Sequence, residues 1–81
     1  MDIDYLVRMA NDIGAFFASE PDPQAATAAI LNHLKRFWDP RMRAQIIAHH
    51  DQAHGEGLEG PVLNAVKMLA AEAEAAKKAP A

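Results

Sequence analysis

Apolar residues recur at spacings of three and four along most of this chain, and nowhere alternate with polar ones over the length of a strand. That is the period of one face of an α-helix. Ile3, Leu6, Val7, Ala10, Ile13, Gly14 and Phe17 draw the first stripe and predict a helix over about Ile3 to Phe17. Asp2 is placed to cap it, and Asp4 puts negative charge in its first turn, where the helix dipole favours it. Gly14 inside the stripe costs about 1 kcal/mol relative to Ala. Close approach by another helix or by a partner would offset that cost.

Three further stripes follow. Asp22-Pro23 is a cap followed by a proline at the first helical position, and it predicts a second helix from Pro23 to Phe37. Its apolar face is read as Ala26, Ile30, His33, Leu34 and Phe37. Asp39-Pro40 repeats the device and starts a third helix that runs to about Gln52 or Ala53. This one is thinly apolar, with Met42, Ile46, Ile47 and Ala48, and Gly55 is the candidate left-handed cap at its end. Gly60-Pro61 opens a fourth helix with Val62, Leu63, Val66, Leu69 and Ala70 inward, and Leu58 is placed to pack back on its start. Beyond Ala70 only Ala, Glu, Lys and Pro remain, which keeps helix propensity but loses the stripe. The expectation is an all-α bundle of three to four short helices over residues 1–70, with a helical or frayed tail over 71–81. A three-helix core with the last helix docked on a partner is the alternative.

Composition narrows the classes. The chain has 81 residues, enough for one small domain, and no Cys, which removes disulfides, thiolate metal ligands and a Cys nucleophile. The start, Met1-Asp2-Ile3-Asp4, is acidic and lacks the form of a signal peptide, and no apolar run approaches the roughly 20 residues of a membrane span. A protein without a membrane partner is expected. The net charge of −3 argues against a dedicated nucleic-acid binder.

The segment from Lys35 to Arg43 departs from this background. It holds four of the eight basic residues, interleaved with Phe37, Trp38, Pro40 and Met42. Trp and Arg are the residues that most often anchor interfaces, and Met adapts to irregular surfaces. Arg36, Trp38, Arg41, Met42 and Arg43 are therefore the candidate partner contacts, while Phe37, Asp39 and Pro40 set the corner between two helices. Ile13, Gly14 and Phe17 are assigned to packing. The competing reading puts Phe37 and Trp38 in the core and pairs the arginines with Asp39 and nearby acids.

Other constellations carry less. His50 and His54 stand at i, i+4 beside His49 and Asp51, but no HExxH pattern is present, and histidines near a helix C-terminus complement its dipole without a metal. No metal site is assigned. His33, on the apolar face of the second helix, is expected to be a buried, hydrogen-bonded core residue. Ser19, Thr27 and Tyr5 are the only side-chain hydroxyls, Ser19 has no histidine near it in sequence, and no glycine-rich phosphate loop follows a strand. No catalytic residue is assigned.

The run Arg36-Phe37-Trp38-Asp39-Pro40-Arg41-Met42-Arg43 is preceded by Asn32-His33-Leu34 and, upstream, by Met9-Ala10-Asn11-Asp12-Ile13-Gly14-Ala15-Phe16-Phe17. Together they resemble the delta subunit of the NAD-dependent, molybdenum- or tungsten-containing formate dehydrogenases, over about Ile3 to Val66. The resemblance implies a complex in which a large alpha subunit holds a bis-molybdopterin guanine dinucleotide metal centre and iron–sulfur clusters. Beta and gamma subunits carry electrons through further clusters and FMN to NAD. The delta subunit is associated with assembly, stability or activity, and no catalytic role attaches to the matching positions, which are Asn11, Ile13, Gly14, Phe17, His33 and Arg36 to Arg43. The lack of cysteine agrees, since this chain has no thiolate for a cluster. A non-catalytic accessory chain without a cofactor of its own, in contact with the alpha subunit, is the reading that follows. A transient maturation chaperone for the large subunit or its molybdenum cofactor is the second reading. A stand-alone helical regulator that binds anions or nucleic acid through Arg36 to Arg43 is the third.

Overall fold

Among the described residues four helices follow in the order α1 (Ile3–Phe16), α2 (Pro23–Phe37), α3 (Pro40–Ala53) and α4 (Gly60–Lys78). They come from a computed structural model that describes residues 2–78. The described residues form the small all-α bundle that the spacing predicts. Residues 79–81 of the expected tail lie outside the described residues.

Each of the first three helices begins on an aspartate. The Asp2 carboxylate accepts from the Asp4 N–H at 3.1 Å, Asp22 from Gln24 at 3.0 Å and Asp39 from Met42 at 2.9 Å. Prolines at the first positions of α2 and α3 add a fixed φ where no N–H is needed. α1 stops one residue earlier than its stripe, with Phe17 as its C-cap. α3 runs into the expected left-handed Gly55, which follows its C-cap His54. His54 itself takes the left-handed conformation, at φ 56°, Gly55 follows at φ 69°, and the Gly55 N–H reaches back to the His49 carbonyl at 3.3 Å. Histidine is among the few non-glycine residues that visit this region readily.

α4 is the hub, packed on each of the other three helices and most extensively on α2. The core joins Leu6 and Ala10 of α1, Ile30 and Leu34 of α2, Ile46 of α3, and Val62, Ala65, Val66 and Leu69 of α4, with Leu58 closing its end. Ala65 and Ala10 are fully buried, and such small side chains let helices approach closely. Gly14 serves the same purpose. A Cβ there would collide with a Val62 methyl, so its cost in propensity is exchanged for contact between α1 and α4.

The pair at the end of α2 is reversed relative to expectation. Trp38, assigned to the surface, is 5% exposed and part of the core, while Phe37, assigned to packing at the corner, is 68% exposed. The buried row on α2 runs Ala26, Ile30, Leu34 with Thr27 and Leu31 beside it. Four residues on from Leu34 is Trp38, so the indole continues that row although its backbone has already left the helix. Phe37 continues the next row, through His33, which faces out. Met42, also assigned to a partner, is half-buried and packs against the core.

α1 is fastened to the α3–α4 connection as well. The Asn11 amide donates to the Gly57 carbonyl at 2.8 Å and its oxygen accepts from the Glu59 N–H at 3.1 Å. Gly57, at φ 88°, brings the connection down on Val7, where a Cβ would lie 3.2 Å from a methyl carbon. The region of α4 past Ala70 stays helical to Lys78, and the Lys35 ammonium ties it to α2 by donating to Glu72 at 2.7 Å.

Candidate functional site

The C-terminal end of α1 and the outer row of α2 leave a cleft of about 280 Å³ between them, lined by Asp12, Ile13, Phe16, Phe17 and His33. Phe16 is 79% exposed, the most exposed large apolar side chain among the described residues. Its ring meets Phe17 edge to face at 5.0 Å, a geometry the ring quadrupoles favour. Across the cleft the His33 imidazole lies 4.7 Å from the Phe37 ring, tilted by 43°. The Arg36 guanidinium stands 5.7 Å from that same ring centre and rims the surface with charge. Two phenylalanines, an isoleucine and a histidine thus line an apolar cleft open to solvent, with Asp12 among them, and Phe37 with Arg36 beside it adjoins the cleft through His33. His33 is half-buried with its ring against Phe37 rather than the hydrogen-bonded core residue expected.

Charge is concentrated next to this surface. Residues 35–43 hold four of the eight basic residues and one of the eleven acidic ones, a net +3, which leaves −6 on the rest of the chain. The arginines do not pair with Asp39. That carboxylate caps α3, and among the described residues the ion pairs are Lys35–Glu72, His50–Asp51 and Lys78–Glu74. Arg36 and Arg41 are exposed, and Arg43 is half-buried in a second groove, between α3 and α4. The corner therefore keeps three arginines without a carboxylate partner among the described residues. Of the five residues proposed from sequence as contacts, Arg36, Arg41 and Arg43 reach the surface, while Trp38 and Met42 serve the core. Phe16 and Phe37, the two most exposed aromatic rings, were not among them.

The histidines at the end of α3 are used locally. His49 Nε2 lies 2.6 Å from the Glu56 carbonyl and His50 Nδ1 3.1 Å from an Asp51 carboxylate oxygen. Among the described residues no group of three or more His, Cys, Asp or Glu is placed to hold a metal ion. No helix of the described residues is long and apolar enough to cross a membrane.

Comparison with curated proteins and comparison with solved structures each gave no match. The model of one family, described as the NADH-dependent formate dehydrogenase delta subunit FdsD, matches residues 5–66. That span contains the aromatic cleft, the arginine corner and the Asn11 tie, and it is most of the chain. The chain belongs to the formate dehydrogenase delta subunit family.

Proposed function

We propose that this chain is a non-catalytic accessory subunit of a cytoplasmic NAD-dependent formate dehydrogenase and acts by protein–protein contact. The large alpha subunit is its partner, with beta and gamma subunits in the same complex. The metal centre, the iron–sulfur clusters and FMN belong to those other chains, and this chain holds none of them. The observation that carries the reading is the open aromatic cleft, with Phe16 at 79% and Phe37 at 68% exposure. A contiguous apolar surface rimmed by charge marks a site of association, because leaving such area in water is unfavourable. Aromatic rings and arginine are also the residues that dominate interface energetics. Assembly or stabilisation of the complex follows if the cleft is covered by the partner.

Co-expression with the three larger subunits, with a tag at Ala81, tests this. Co-elution at fixed stoichiometry with NAD-linked formate oxidation is the expected result. Co-elution only with inactive, cofactor-poor large subunit would make the chain a maturation chaperone instead, and failure to co-elute would overturn the reading. Steeply salt-dependent retention on heparin would favour the anion- or nucleic-acid-binding regulator.

A further inference from the structure

On the other side of α2 lies a second groove, of about 340 Å³, whose lining includes Lys35, Arg43, Ile47, Leu69 and Glu72. Lys35 leaves α2 about 160° round the helix from Phe37, so this groove and the aromatic cleft face different directions. Its charges do not balance. Lys35 and Arg43 bring two cations, and the one carboxylate, Glu72, is already held by Lys35 at 2.7 Å. The Arg43 Nε is buried and has no hydrogen-bond partner among the described residues. A buried donor without an acceptor is destabilising in the isolated chain, and an anion in the groove balances the unpaired charge of the guanidinium. A carboxylate fits best, because the planar guanidinium offers it two parallel donors. Ile47 and Leu69 beside it suit the aliphatic part of a polypeptide and offer nothing to a hydrated inorganic anion.

We infer that this groove receives an aspartate or glutamate side chain of a partner polypeptide in the formate dehydrogenase complex, with Arg43 as the fork that holds it. The inference rests on the accessory-subunit reading and adds a second contact, independent of the aromatic cleft. It gives Arg43 a use that the isolated chain does not.

Arg43→Met separates the two possibilities, because it keeps an apolar stem and removes the buried donor. The isolated variant should melt at or above the wild-type temperature. The amount of larger subunits it retains should fall by about tenfold or more, as for loss of a charged hydrogen-bonded pair. Arg43→Lys should recover only part, since an ammonium keeps the charge and loses the fork. In the assembled complex carrying Glu72→Gln, carbodiimide should couple the freed Lys35 amine to an acidic residue of another subunit, read by mass spectrometry. Wild-type retention by Arg43→Met with a lowered melting temperature would show Arg43 to be structural and overturn the inference while leaving the accessory role intact. So would Lys35 coupling confined to this chain or to a second copy of it. Failure of the wild-type chain itself to co-elute would overturn both.

Discussion

The α2–α4 seam and the α1–α2 cleft are both lined by large apolar side chains, and only the seam is closed. In the seam, Ile30, Leu34, Ala65 and Val66 are fully buried, and Trp38 seals its end. In the cleft Phe16, and beside it Phe37 against His33, stand mostly in water. Residue type does not separate the two regions, since aromatic and aliphatic residues occur in both. Geometry does. α4 packs over the inner row of α2 more extensively than any other helix pair meets, whereas Phe16 and Phe37 on the outer rows of α1 and α2 stay exposed. A side chain in the seam contributes to folding. Phe16 and Phe37 keep most of their apolar surface in water until something covers it.

Adjacent residues at the end of α2 give the sharpest break of that comparison. Trp38→Ala should cost the isolated chain about 3–5 kcal/mol, the range for emptying a core aromatic site. Phe37→Ala should stay within about 0.5 kcal/mol, as for exposed positions. Urea denaturation followed by circular dichroism reads both, and equal losses would erase the distinction between seam and cleft.

The next effect concerns how α1 is held. Gly14→Ala drives a methyl into Val62 and should destabilise by about 1–3 kcal/mol despite the better helix propensity of Ala. Most of that loss should vanish in a Val62→Ala background, because the two sites share one contact. Additive losses would mean that α1 and α4 do not meet there.

Asn11→Ala removes both bonds to the α3–α4 connection and should cost about 1 kcal/mol. Faster amide exchange at Glu59 would accompany it, because that N–H loses its acceptor. Unchanged exchange would show that α1 is held by the core alone.

The smallest effect belongs to the Lys35–Glu72 pair, whose side chains are each 46% exposed. In the isolated chain Glu72→Gln should change stability by no more than about 0.5 kcal/mol, and less at high salt. A larger loss would make this end of α4 part of the closed region.

Much of this was legible in the sequence. Asp2, Asp22 and Asp39 followed by apolar stripes marked three helix starts to within a residue, because capping depends on local chemistry. Gly14 in a buried stripe announced the close contact that Val62 makes. The reversal of Phe37 and Trp38 was partly legible. The row Ala26, Ile30, Leu34 extends to Trp38, but the choice between that row and the one through His33 depends on where α4 lies. Phe16 carried no signal of its own, since a phenylalanine beside a core stripe is more often half-buried than nearly free. The Asn11 tie joins residues 46 and 48 positions apart, and a single sequence holds no trace of such a pairing. The arginine corner was legible in composition, while the lack of carboxylate partners for Arg36, Arg41 and Arg43 among the described residues required coordinates.

Retention of the larger formate dehydrogenase subunits by a Phe16→Ser, Phe37→Ser double variant, beside its own denaturation curve, tests the docking role of the cleft most directly. The predicted result is a stability within about 0.5 kcal/mol of wild type and a drop in retained subunits of about tenfold or more. Full retention by a stably folded double variant would contradict it and place the contact elsewhere on the chain.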